Sequence, residues 1–159
     1  MNGLMPATSP TLIDAMKNYS IFRTSWQENE QALRAVRDAV FVREQHVPED
    51  MEWDGFDEDA VHFLALDENN QPVGCVRLLN SGQISRLCVL EALRHHGIGQ
   101  QLLDAAEQEA RRLGMREVFL HAQTQACAFY EAAGFMVNGG IFVEAGIPHR
   151  QMIKEFGDA

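Results

Sequence analysis

The stretch Arg94-His95-His96-Gly97-Ile98-Gly99 holds the residue types and spacing with the clearest chemical content in the chain. Two glycines, one residue apart, let the backbone approach a ligand closely. The residues that follow are expected to open a long helix, whose first N–H groups lack internal acceptors and whose dipole favours an anion. Arg94 adds positive charge. These features describe a cradle for a pyrophosphate, and an ordinary glycine-containing loop between a strand and a helix fits the same residues. Neither common nucleotide loop is present: no Gly-Lys-Ser/Thr follows, and there is no G-x-G-x-x-G.

Other reactive residues read more plainly. His95 and His96 are neighbours on a tight loop, with no Cys or further His at ligand spacing, so no metal is expected. Cys88 lies in an apolar strand pattern that favours a buried neutral thiol over a nucleophile. His62 reads as a packed strand residue. Between Arg43 and Arg77 there is no Lys or Arg, while Glu49, Asp50, Glu52, Asp54, Asp57, Glu58 and Asp59 crowd together beside Trp53 and Phe56. This is either a solvated acidic loop or a surface that draws in a cationic partner. The formal net charge of −10 makes nucleic acid and anionic membranes poor partners, and neither is expected.

The elements that must position these residues follow from length and pattern. A chain of 159 residues with 46% apolar content suits one compact domain. Residues 1–19 read as an extension containing a short helix, Pro10 to Asn18, and residues 20–159 as the domain. Three scattered cysteines without Cys-x-x-Cys spacing, and no basic, apolar leader, lead us to expect a reducing cytoplasm. Ile21 to Trp26 is expected as a strand and Glu28 to Gln45 as one helix, with Leu33, Val36, Val40 and Phe41 at helical spacing. Val61–Leu66 and Val73–Leu79 form a hairpin, and Ile84–Leu90 a third strand. Gly97 to Leu113 is a long helix ended by Gly114. Glu117–Ala122 is a strand, Thr124–Ala133 a helix, and Phe135–Val143 and Ile147–Ile153 the last strands. Hairpin strands followed by a β-α-β crossover imply an α+β fold with a mixed sheet of about six or seven strands. Apolar character near Ile141–Ile153 suggests an edge that pairs two subunits as a homodimer.

The motif at Arg94–Gly99 is followed by Phe129-Tyr130-Glu131-Ala132-Ala133-Gly134-Phe135. Together they resemble the GNAT superfamily of N-acetyltransferases, where R/Q-x-x-G-x-G/A opens the CoA-binding helix and an aromatic-Tyr pair with a later Gly-Phe closes the thiol end. The resemblance runs from about Ile21 to the C-terminus. Phe41-Val42-Arg43-Glu44-Gln45 with Val47-Pro48, and Gly146-Ile147-Pro148-His149, look like its ElaA-like branch.

The resemblance implies the GNAT acyl-CoA N-acyltransferase fold, acetyl-CoA as co-substrate, and an unidentified small or peptidic amine as acceptor. The strands Ile84–Leu90 and Glu117–Ala122 would splay, with pantetheine between them. Leu87, Cys88 and Val89 would pair with it through their backbones. Arg94, His95, His96, Gly97, Ile98, Gly99 and Gln100 would hold the pyrophosphate, and Gln123 and Phe129 would contact the pantetheine end. The family often carries a catalytic Glu on the strand before the cradle; this chain has Arg86 there. A neutral alkylamine at pH 7 costs about 4.6 kcal/mol, so a base is required. Glu44 and His149 are the first candidates, with Glu144 and His121 after them. Tyr130 is expected to protonate the leaving thiolate.

Overall fold

The structure is a computed structural model and describes residues 19–157. The expected helix at Pro10–Asn18 and most of the extension lie outside the described residues. The elements run β1 (Ser20–Thr24), α1 (Trp26–Arg37), a π-helical segment (Asp38–Glu44), α2 (Glu49–Glu52), β2 (Val61–Leu66), β3 (Pro72–Leu78), β4 (Ile84–Val89), α3 (Ile98–Arg112), β5 (Glu117–Gln123), α4 (Cys127–Ala132), β6 (Met136–Glu144) and β7 (Ile147–Glu155). Short 3₁₀ turns precede α3 and α4.

The seven strands form two antiparallel sheets, β1-β2-β3-β4 and β5-β7-β6. They touch where β4 begins: Gln83 and Phe119 make an isolated parallel bridge, and Phe119 N–H donates to the Gly82 carbonyl at 3.1 Å. Beyond that bridge β4 and β5 part, which is the expected splay.

Helix α3 stacks Ile98, Leu102, Leu103, Ala106 and Ala110 on a core that includes Val73, Val76, Leu78, Val118, Leu120 and Met152. The approach is close: a Cβ on Gly74 would lie 3.0 Å from the Cys88 carbonyl and 3.1 Å from Leu102 Cδ1. On the other side, Leu33, Val36 and Val40 pack with Trp26, Leu64, Cys75 and Cys88.

Three expectations change. The helix read as Glu28–Gln45 starts at Trp26, because Ser25 Oγ accepts the Glu28 N–H at 3.2 Å as an N-cap. It also widens at Asp38 into i→i+5 bonding, ending with Gln45 N–H to Val40 O at 3.0 Å. Such widening is common at functional sites. The acidic stretch divides in two: Glu49, Asp50, Glu58 and Asp59 are exposed, whereas Glu52, Asp54 and Asp57 turn inward onto arginines. Arg37 Nε and Nη1 lie 2.8 Å and 2.6 Å from Glu52 and Asp57. Arg77 Nη1 lies 2.9 Å from Asp54 and 3.1 Å from Asp57. Arg86 reaches Glu52 at 2.9 Å and Asp54 at 3.2 Å. Arg37, Arg77 and Glu52 are at most 2% exposed, so the charges of Glu52, Asp54 and Asp57 are balanced inside the fold. His62 joins the network, its Nε2 donating to the Asp57 carbonyl at 2.9 Å, and burial lowers its pKa and keeps it neutral. Finally, β7 is not an edge. It pairs with β5 on one side and β6 on the other, which engages both of its ladders. The outer strand is β6, with Met136, Ile141 and Val143 exposed.

Candidate active site

A cavity of about 760 Å³ lies along the cleft where β4 and β5 separate. Leu87, Cys88 and Val89 of β4 line one wall. The register explains why this wall is irregular. Cys75 pairs with Cys88 and Arg77 with Ser85, so two residues of β4, Arg86 and Leu87, face the single Val76 of β3. This is a β-bulge, which leaves the extra residue outside the ladder and re-aims its neighbours. Arg86 takes up the turn at φ +57°, a left-handed conformation that a bulky residue adopts at a cost of order 1–3 kcal/mol. Its side chain leaves the strand toward Glu52 and Asp54, which pins the bulge to the acidic loop.

At one end of the cavity stands the N-terminus of α3. Gly97 caps it at φ +86° with open space around its Cα, and no side chain caps the helix. The first intrahelical bond is Gln101 N–H to the Gly97 carbonyl at 3.1 Å, which leaves the N–H groups of Ile98, Gly99 and Gln100 without a helical acceptor. His95, Gly97, Ile98, Gly99 and Gln100 all line the cavity. His96 is beside them and its buried Nδ1 has no partner among the described residues. A donor-rich, uncapped helix end of this kind fits a pyrophosphate.

Arg94 behaves differently from the expectation. Its Nη1 and Nη2 donate to Glu44 at 2.7 Å and 2.6 Å, and its Nε donates to the Val89 carbonyl at 2.9 Å. The guanidinium therefore braces the π-helical segment against β4, although the residue still lines the cavity. Glu44 is its partner. Its carboxyl is held below its ordinary range by the hydrogen bonds from Arg94, and it lines neither of the cavities described here. A carboxylate so paired is a poor proton acceptor.

Tyr130 and Phe129 line the cavity on the α4 side, with ring centroids 5.1 Å apart, edge to face. Burial pushes the Tyr130 phenol upward, with the neighbouring Cys88 adding to it, so the hydroxyl stays a proton donor. Cys88 is buried, and burial also raises its thiol; its Sγ lies 3.7 Å from Cys75 Sγ. It is the neutral thiol expected from sequence. Gln123 lines the same space, donating to Gln45 at 2.7 Å and accepting from Gln125 at 2.6 Å.

A second cavity, about 480 Å³, opens between the acidic loop and the β6–β7 hairpin. Arg86, His121, Gln123, Glu144 and His149 line both cavities and so mark their junction. His149 Nδ1 donates to the Ile147 carbonyl at 2.6 Å, and its ring stacks on Phe142 at 5.8 Å. His121 Nδ1 lies 3.1 Å from Glu144 Oε1. Sequence reasoning placed His121 and Glu144 behind other candidates, since strand period puts them on a sheet face without showing that two strands bring them together. The bulge at Arg86 gave no sequence signal, because arginine is not a residue that marks a left-handed turn.

Paired strands that part beside an uncapped glycine loop, with a tyrosine helix across the gap, are the arrangement of an acyl-CoA acyltransferase. Residues 24–156 match the family model described as "Acetyltransferase (GNAT) domain", and the chain belongs to this acetyltransferase family. Among its relatives is the "Uncharacterized N-acetyltransferase YjcF" of Bacillus subtilis, 38% identical over 135 residues, covering 80% of this chain and 96% of that protein. The crystal structure of Escherichia coli ElaA is similar at a TM-score of 0.78 and 32% identity, covering 86% of this chain and 99% of that one. The fold is also shared with a GNAT family acetyltransferase of Elizabethkingia anophelis solved with acetyl-CoA bound (TM-score 0.61, 17% identity, 87% and 99% covered).

Proposed function

We propose that this chain transfers the acetyl group of acetyl-CoA directly to a primary amine of a small or peptidic acceptor, with Tyr130 as general acid. The observation that carries the reading is the junction of two cavities. One has the character of a CoA site, with three unpaired helix N–H groups at one end and a raised tyrosine lining it. The other opens onto the same point and suits an acceptor.

In this reading the N–H groups of Ile98, Gly99 and Gln100 bind the pyrophosphate, and the backbone of Leu87, Cys88 and Val89 aligns the pantetheine. A backbone N–H freed by the bulge stabilises the developing oxyanion, a role worth about 2.7–4 kcal/mol in other acyl transfers. Tyr130 supplies a proton to the leaving sulfur. The amine sheds its own proton through an imidazole at the junction, where His149 and His121 both stand. The acceptor arrives as an ammonium ion, and Glu144 supplies a negative charge at the junction. Direct transfer fits better than an acetyl-cysteine intermediate, because burial holds the Cys88 thiol in its neutral form.

The experiment is release of free CoA thiol from acetyl-CoA in the presence of a panel of primary amines: a polyamine, an arylalkylamine, an amino sugar and a lysine-containing peptide. Amine-dependent release with at least one member is expected. Release that no amine accelerates would overturn the assignment.

A further inference from the structure

We infer that Glu144 and His121 form an acid–base dyad at the junction, in which Glu144 orients the imidazole and His121 Nε2 takes the proton from an alkylammonium acceptor. This rests on the acetyl-transfer reading above. The first support is the hydrogen bond itself. An ionised carboxylate only accepts, so the 3.1 Å contact with Glu144 Oε1 places the proton of the neutral ring on Nδ1 and leaves the lone pair on Nε2.

The second support is placement. The ring is held edge-on to Phe142 at 5.1 Å and tilted to Phe119 at 6.3 Å, while the residue lines both cavities. The third is exclusion. Of the carboxylates lining either cavity, Glu52 and Asp54 are held by arginines, whereas Glu144 has no guanidinium partner among the described residues. His149, the rival imidazole, is 6% exposed and its Nδ1 partner is a neutral carbonyl. The side chains of His121 and Glu144 are 28% and 45% exposed, so an imidazolium formed there has a carboxylate beside it and water to pass its proton to.

The ammonium gives one proton to His121 Nε2. The freed nitrogen lone pair forms the N–C bond to the thioester carbonyl, and the C–S bond breaks with its electron pair going to sulfur. Sulfur takes the Tyr130 proton, the second proton leaving nitrogen restores Tyr130 through solvent, and His121 releases its proton to bulk water. The charged or titratable groups that share the cavities with His121 are Glu144 from β6, His149 from β7, Arg86 from β4, Arg77 from β3, and the arginine-paired Glu52 and Asp54. Across the CoA side stand Tyr130, Cys88, Arg94 and His95.

Two measurements test the dyad. Long-range ¹H–¹⁵N spectra of the free protein read the His121 tautomer without any acceptor. The Nδ1–H form is expected in the wild type, and a mixed or Nε2–H population in Glu144→Gln. An Nε2–H ring in the wild type, or no change in Glu144→Gln, overturns the assignment. The second measurement is kcat/KM against pH by thiol release, using the best amine of the panel. His121→Gln should lower it about 10²-fold, the lower end for general base loss, and remove the acid limb. Glu144→Gln should lower kcat with KM for acetyl-CoA unchanged. His149→Asn should keep the acid limb. An acid limb that survives in His121→Gln, with acetyl-CoA binding intact by calorimetry, refutes the dyad. A wild type that no amine stimulates instead refutes acetyl transfer, and the tautomer spectra then still decide the pair.

Discussion

The two glycines of the phosphate loop are separable by structure. At Gly97 a Cβ would meet nothing within 4 Å, yet φ is +86°. The cost of Gly97→Ala is therefore conformational, about 1–2 kcal/mol for an L-residue in the left-handed region. If the loop keeps its shape, that cost appears as lost stability. If it relaxes, it appears as lost alignment of the helix N–H groups, and acetyl-CoA affinity falls about 5–30-fold for the same energy. At Gly99 the backbone is helical, and a Cβ would sit 3.8 Å from both Phe129 Cζ and Val89 Cγ2, which is ordinary contact. Gly99→Ala should raise helix stability by roughly 0.5–1 kcal/mol but place a methyl group where the pyrophosphate must approach. Urea unfolding and acetyl-CoA calorimetry on both variants separate the effects. The reasoning is refuted if Gly99→Ala binds acetyl-CoA as tightly as the wild type, or if Gly97→Ala matches the wild type in both assays.

Tyr130→Phe keeps the edge-to-face packing and removes only the proton donor, so kcat should fall about 10²-fold while acetyl-CoA affinity stays constant by calorimetry. Glu44→Gln should leave the pH profile of kcat/KM unaltered, because both oxygens of that carboxylate are held by Arg94 and it lines neither cavity; a lost acid limb would point to Glu44 as the base. Asp57→Asn removes the shared acceptor of Arg37 and Arg77 and should cost about 3–5 kcal/mol in urea unfolding, as breaking a buried ion pair does. Stability should also depend on pH with a definite sign. Burial raises the Asp54 carboxyl, but hydrogen bonds and charge from Arg77 outweigh that and bring it down to about 2. The unfolded chain then binds more protons, so this contribution is present above about pH 4 and is lost as pH falls toward 2. His62, lowered by burial, acts in the same direction below about pH 6.5; a melting temperature that rises on acidification from pH 6.5 to 4 would contradict the His62 contribution, and one that rises from pH 4 to 2 would contradict that of Asp54.

The fold was legible where local signals were unambiguous. Hydrophobic period gave α3, the glycines at Gly114 and Gly134 ended two helices, and two apolar runs either side of the polar turn Glu68–Gln71 gave the hairpin. The start of α1 was readable too, since Ser25-Trp26-Gln27-Glu28 is a capping pattern, but the apolar spacing drew attention further along. The π-helical segment was not legible: Asp38–Glu44 keeps a helical pattern, and the grip of Arg94 on its last residue, Glu44, comes from 50 positions along the chain. The inward half of the acidic loop was hidden for a similar reason. Its arginine partners come from positions 37, 77 and 86, outside the stretch that looks uncompensated when read along the chain. At the site, the glycine loop and Tyr130 were visible because their chemistry is local. The His121–Glu144 contact joins residues 23 apart, and the bulge at Arg86 exists only relative to β3.

The central claim is acetyl transfer to an amine at the junction of the two cavities. Its most direct test is mass spectrometry of the acceptor after incubation with acetyl-CoA and the enzyme, with thiol release followed in the same sample. The expected result is one acetyl group on the acceptor nitrogen for each CoA released, abolished together by bulk at the phosphate loop in a folded Gly97→Glu variant. CoA release with no acetylated amine, or amine acetylation that persists unchanged in that variant, would contradict the account.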